Sequence, residues 1–203
     1  MMRGRFITFE GIDGAGKSTH LEWFAAQLAA RGVEVVLSRE PGGSELAETL
    51  RALLLGAAMS PETELLLIFA ARHDHLERTV RPAMARGAWV LCDRFTDSTY
   101  AYQGGGRGMP LERITTLESW VHPGFAPDRS YLFHVDPALA AARRSRARAA
   151  DRFEAEDFAF FSRVAEGYAR RIAADPGRFF VVDGTQSVSV IRAELEQDIA
   201  TYW

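Results

Sequence analysis

Eight residues near the N-terminus, Gly11-Ile12-Asp13-Gly14-Ala15-Gly16-Lys17-Ser18, have the types and spacing needed to hold a chain of phosphates. They fit the pattern G-x-x-x-x-G-K-[ST], in which glycines let the backbone wrap an anion and the N–H groups of a following helix point into the loop. Lys17 is the only lysine in the chain; the other 23 of its 24 basic residues are arginine. An ammonium on a flexible stem reaches between two phosphates as a point charge, whereas a guanidinium needs a bidentate edge and more room. The sequence therefore keeps its one lysine where an arginine would not serve. Ser18 is placed to ligate Mg²⁺, and Gly11 to Thr19 as a whole (Ile12, Asp13, Gly14, Ala15 and Gly16 included) form a candidate nucleoside-triphosphate cradle.

A second group of residues lies in "WVLCDRFTDSTYAYQGGGRG". Its apolar lead-in ends in Asp93-Arg94. An aspartate at the C-terminal end of a strand beside the cradle is positioned to hold Mg²⁺ through water, and the adjacent Arg94 can reach into the crevice between two nucleotides.

Such residues need a sheet behind them, and the chain supplies the pattern for one. Short β-rich apolar runs at Phe6–Glu10, Val33–Ser38, Ala88–Cys92, Ser130–Val135 and Phe179–Asp183 alternate with stretches of helical period. The helical stretches are Lys17–Ala30, Ser44–Leu55, Pro61–Arg86, Leu111–Val121, Pro137–Arg148, Glu154–Ala174 and Ser187–Tyr202. This alternation predicts an α/β fold, a five-stranded, mostly parallel sheet between two layers of helices. The 203 residues fit a single domain. Two loops stand apart as candidate mobile segments: "QGGGRG" (103–108) and the arginine-dense "RRSRARAADR" (143–152).

Bulk properties narrow the function classes. A net charge of −3 gives no global basic field for nucleic acid, and no run approaches the 18 apolar residues of a membrane span. One cysteine, Cys92, excludes an internal disulfide framework and suits a reducing, cytoplasmic setting. The five histidines show no metal-ligand pattern. A switch GTPase would need a second lysine in its base-reading element, and a transporter-type ATPase an L-S-G-G-Q-like stretch; both are absent. What remains is a small kinase acting on a small molecule or nucleotide.

Taken together, "FEGIDGAGKST", "SREPGGS", "FAAR", "DRFTDSTYAYQGGGRG" and "DRFEAEDFAFF" resemble the thymidylate kinase family, from about Phe6 to the C-terminal helix. The resemblance implies a P-loop NTPase fold, ATP with Mg²⁺ as donor, dTMP as acceptor and a homodimer. It assigns Asp13 to the acceptor's 3′-hydroxyl side and the metal region, and Arg39, Arg72 and Arg94 to the acceptor phosphate. Phe69 is assigned to stacking on the base, Thr99 and Gln103 with Ser98 to its polar edge, and Tyr102 to the sugar face. The 143–152 segment would be a lid whose Arg143, Arg146, Arg148 and Arg152 close over ATP, either Arg146 or Arg148 stabilising the transferring phosphoryl group. Gly14 stands where some relatives carry an arginine, which makes the chain similar to the bacterial type with lid arginines. Two rivals stay open: a kinase for another (deoxy)nucleoside monophosphate or a deoxynucleoside, with a base near Glu10, and an ATP-binding module without turnover.

Overall fold

The structure is a computed structural model and describes residues 4–144, 152–153 and 156–202. Five strands form one parallel sheet: β1 (Phe6–Glu10), β2 (Val35–Arg39), β3 (Trp89–Asp93), β4 (Arg129–His134) and β5 (Phe179–Asp183), in the order β2-β3-β1-β4-β5. All four pairings are parallel, with Phe9 opposite Asp93 on one side and Tyr131 on the other. Buried apolar strands of this kind require crossover helices on both faces, which the chain's alternating pattern provides. Every strand therefore points its C-terminal end to the same edge of the sheet. The loops that follow β1 and β3 emerge side by side there.

One face is covered by α1 (Lys17–Ala30), α8 (Phe158–Ala174) and α9 (Val188–Ile199) around an aromatic cluster in which Phe9 meets Phe24 and Tyr131 at ring distances of 5.6 and 5.4 Å. On the other face Phe6, Val90 and Phe95 pack with Leu76, Val80 and Ala83. Helix starts are set by short polar caps. Ser44 Oγ accepts from Ala47 N–H at the start of α2 (Glu45–Gly56), and Ser60 Oγ from Thr63 N–H at the start of α3 (Pro61–His75), whose first residue is proline.

Two expectations need correction. The stretch read as one helix over Pro61–Arg86 is three pieces: α3, a π-helical turn at Leu76–Val80, and α4 (Arg81–Ala85), where Pro82 enters the first turn. The "QGGGRG" loop, expected to be mobile, is almost entirely structured. After the short α5 (Thr96–Thr99), residues Tyr100–Gly106 form a buried π-helical segment packed against α8. Its glycines permit the contact: a Cβ on Gly105 would lie 2.5 Å from the Arg163 carbonyl, and one on Gly167 of α8 would lie 2.7 Å from the Ala101 Cα. Among the described residues the other helices are α6 (Leu111–Val121), α7 (Pro137–Arg144) and a 3₁₀ turn at Ala200–Tyr202. Among the described residues no helix is long and apolar enough to cross a membrane.

Candidate active site

The cradle joins β1 to α1 as its spacing predicts. Gly11 turns at φ 126, and a Cβ there would sit 2.4 Å from the Phe133 carbonyl, so only glycine fits between the loop and β4. Lys17, 5 % exposed, donates from Nζ to the Gly11 and Ile12 carbonyls at 3.0 and 3.3 Å and stands 3.9 Å from Asp13. Burial and the Arg94 guanidinium lower its pKa, while Asp93, Asp13 and Glu10 pull it back up. The ammonium is thus held among carboxylates at the mouth of the loop.

Arg94 follows β3 in the left-handed region at φ 73, alone among the described non-glycine residues. That backbone turn swings its guanidinium back over the cradle. Nη1 donates to the Gly11 carbonyl and Nη2 to Asp13 Oδ1, each at 2.8 Å, and Nη2 also reaches Tyr102 OH at 3.1 Å. Burial opposes its charge, but Asp13, with Tyr102, Tyr168 and Asp93, holds its pKa well above the ordinary value.

From this point a cleft opens between the cradle, α2, α3 and the π-helical segment. Of the predicted acceptor residues it is lined by Asp13, Arg72, Arg94, Ser98, Thr99, Tyr102 and Gln103. Arg72 is fully buried between the rings of Phe69 (4.8 Å) and Phe95 (5.1 Å), with Nε on Glu40 Oε2 at 2.7 Å and Nη2 on Thr99 Oγ1 at 2.9 Å. Its Nη1 is buried without a hydrogen-bond partner, a donor available to a ligand. Burial opposes charge on Glu40, yet Arg72 and His75 keep its carboxyl below the usual value.

Other predicted residues take different places. Phe69 stacks against His122 behind Arg72, and it is its neighbour Ile68 that faces the cleft. Arg39 is half exposed and grips Glu48 through Nε and Nη2 at 3.2 and 2.8 Å, beside the recess that holds Ser18 and Asp93. The third arginine on the cleft wall is Arg51, which donates to the Pro41 carbonyl at 2.8 Å. Arg143 donates to the Gly184 carbonyl at 2.9 Å, in the loop after β5 that touches the Ala15 backbone. Arg152 pairs with Glu64 of α3 at 2.8 Å. Arg146 and Arg148 lie outside the described residues.

Ser18 and Asp93 line one recess, and Asp93 Oδ1 is buried there with no hydrogen-bond partner. An oxygen pair of this kind suits Mg²⁺, which keeps its own waters and takes one or two protein ligands plus phosphate oxygens. The residues fit the ion. Among the described residues no cluster of three or more His, Cys, Asp or Glu side chains forms a metal site made of protein alone. Cys92 is buried and its thiol is pushed well up by burial and the neighbouring Glu40 and Asp93, which makes it unreactive.

The family model for thymidylate kinase matches residues 9–195. The chain belongs to the thymidylate kinase family. Among its relatives, thymidylate kinase of Burkholderia vietnamiensis is 55 % identical over 98 % of this chain and 99 % of its own length. The enzyme of the same name from Cupriavidus metallidurans is 58 % identical over 98 % of this chain and 100 % of its own length. A crystal structure of thymidylate kinase from Ehrlichia chaffeensis superposes with a TM-score of 0.80 at 33 % identity, covering 97 % of this chain and 99 % of that one.

Several residues that shape the site of this family member had no role assigned from the sequence. Arg51 and Glu64 are single polar residues in helices, and Glu40 sits inside the SREPGGS stretch; their places are legible only once α2, α3 and the π-helical segment face each other. Glu10, in the FEGIDGAGKST stretch and weighed only as a rival's base, is the fourth. It is fully buried and accepts from Phe95 N–H (2.8 Å), Ser98 Oγ (2.6 Å) and Tyr168 OH (3.2 Å). Burial, with the Asp97 carboxylate nearby, pushes its carboxyl up to about 7 against the pull of Ser98, Arg94 and Phe95 N–H.

Between about pH 4.5, its ordinary value, and about 7, the native chain holds a proton on Glu10 that the unfolded chain has lost. Stability contributed by this group therefore falls as pH rises through that window. Glu10→Gln is expected to flatten the decline in Tm from acidic to neutral pH and to raise Tm relative to wild type above pH 7. Thermal melts across the range check this, and parallel curves for the two proteins would contradict it.

Proposed function

We propose that this chain transfers the γ-phosphoryl group of ATP to dTMP, giving ADP and dTDP. The observation that carries the reading is the bridge from Arg94 to both Asp13 and the Gly11 carbonyl: it ties the triphosphate cradle to a polar cleft carrying Arg72, Arg51, Thr99, Tyr102 and Gln103. Membership of the thymidylate kinase family supports the identity of both substrates.

In this reading the loop N–H groups and Lys17 hold the donor phosphates, and Arg94 holds the acceptor phosphate in line at the junction. Arg72, expected from the resemblance at the acceptor phosphate, is assigned in this reading to the base together with Gln103, because Glu40 and Thr99 hold its guanidinium and leave Nη1 unpaired. Tyr102 is assigned to the sugar. A monophosphate oxygen is already a competent nucleophile, so positioning and charge stabilisation supply the catalysis and no protein base is required. Ser18 and Asp93 would hold Mg²⁺, which neutralises charge across the β- and γ-phosphates. Either Arg146 or Arg148 is the proposed lid residue acting on the transferring group. Exposed Leu46, Leu53 and Leu66 on α2 and α3 support a homodimer, and the free, buried thiol of Cys92 suits the cytoplasm.

A deoxynucleoside kinase would need a carboxylate free to take a proton from a 5′-hydroxyl. Glu10 is enclosed and already receives three hydrogen bonds, which counts against that rival. The test is coupled ADP release with dTMP, dUMP, dCMP, dGMP and thymidine side by side. The highest kcat/KM is expected with dTMP; activity confined to thymidine or to dGMP would overturn the reading.

A further inference from the structure

Gln103 lines the cleft with its side chain 2 % exposed, and its amide is not free to turn. Nε2 donates to Glu64 Oε1 at 2.7 Å. Glu64 is 1 % exposed and sits in the first turn of α3, two turns ahead of Arg72. Its other contacts are cationic: Arg107 approaches Oε1 and Oε2 at 3.4 and 3.5 Å, and Arg152 Nη1 lies 2.8 Å from Oε2. Arg107 is held in turn by Glu156 and stacks over Phe160.

A carboxylate flanked by two guanidinium groups offers acceptors only. The NH₂ side of Gln103 must therefore face Glu64, and its carbonyl oxygen is the atom left for the cleft. Arg72 also lines the cleft, and its Nη1 is a buried donor without a partner. The wall thus carries one fixed donor and one fixed acceptor. A pyrimidine with a 4-keto oxygen and an N3–H matches that pair; one with a 4-amino group and a bare N3 presents like against like at both positions.

We infer that Glu64 is a positioning residue for base selection, locking the Gln103 amide so that the site takes a 4-keto pyrimidine and rejects a 4-amino one. This rests on the reading that the cleft receives a pyrimidine monophosphate. The cost of a mismatched buried polar pair is what makes such a lock selective, because the unmatched groups lose their water without gaining a partner. Arg152 gives the same carboxylate a second duty, since this last residue of the 143–152 segment pairs with it.

The test compares kcat/KM for dTMP and dCMP in wild type and Glu64→Gln. The amide introduced by that substitution can offer Gln103 either a donor or an acceptor, so the Gln103 side chain is released to turn. The dTMP-to-dCMP ratio is expected to fall about tenfold or more, through a higher KM for dTMP and a gain with dCMP. A purely structural role would lower both activities together, and an unchanged ratio in folded E64Q overturns the inference. Should E64Q not fold, Glu64→Asp keeps the charge for Arg107 and Arg152 but withdraws the oxygens by one methylene. The ratio should then fall about threefold or more, and a wild-type ratio there overturns the inference as well. Wild-type protein inactive on dTMP would instead defeat the functional reading on which the inference rests.

Discussion

Lys17→Arg is expected to lower kcat by about three orders of magnitude or more while leaving the fold intact, the scale at which one dedicated charge acts on a transferring phosphoryl group. The charge is unchanged, so the loss isolates shape. Nζ is held inside the loop, 3.0 and 3.3 Å from the Gly11 and Ile12 carbonyls, on a side chain 5 % exposed. A guanidinium in that position would put a plane of three nitrogens where one tetrahedral ammonium now stands. It would also press its added bulk on Arg94, already bonded to the same Gly11 carbonyl at 2.8 Å. Arginine can still attract ATP through its charge, so KM for ATP should change far less than kcat. Coupled ADP release gives kcat, and a thermal melt shows whether the variant is folded. Near-normal turnover in K17R would mean that the lone lysine carries no special role.

The strands and the cradle were legible because each rests on local pattern. Phe6–Glu10 and Phe179–Asp183 appear where the apolar runs place them, and α1 begins at Lys17, immediately after the glycine turn. Two kinds of feature were not legible. One is close packing: the Tyr100–Gly106 glycines read as a mobile loop, but they are the spaces that let α8 approach. Missing side chains at such positions look alike in sequence whether they serve motion or contact. The other is convergence from distant elements. Arg51 and Arg39 are equally basic, yet α2 turns Arg51 into the cleft beside Arg72 and Arg94 while Glu48 draws Arg39 to the neighbouring recess. Likewise Ile68 lines the cleft while its neighbour Phe69 packs against Arg72 and His122, a difference that two adjacent apolar residues do not show in sequence.

Arg94→Ala should be the second large effect, with kcat/KM for dTMP falling about 10²- to 10³-fold and KM for ATP nearly unchanged. The asymmetry follows from what Arg94 touches. It bridges Asp13, Gly11, Ser98, Tyr168 and Tyr102, so its loss leaves the Asp13 carboxylate without this partner beside the position assigned to the acceptor phosphate. Two negative groups would then face each other where an arginine now separates them, and the charge proposed to hold the phosphate would be gone. Alanine also inherits the φ of 73 that Arg94 adopts, so the backbone strain, on the order of 1–3 kcal/mol, remains in that variant. Arg94→Gly removes the same guanidinium without that strain. It is therefore expected to melt higher than R94A while being no more active. Activity and Tm should part company between the two variants, because the left-handed turn serves only to aim the side chain. Measuring both constants and both melts decides the matter: if R94G recovers activity along with stability, the guanidinium is not what holds the acceptor.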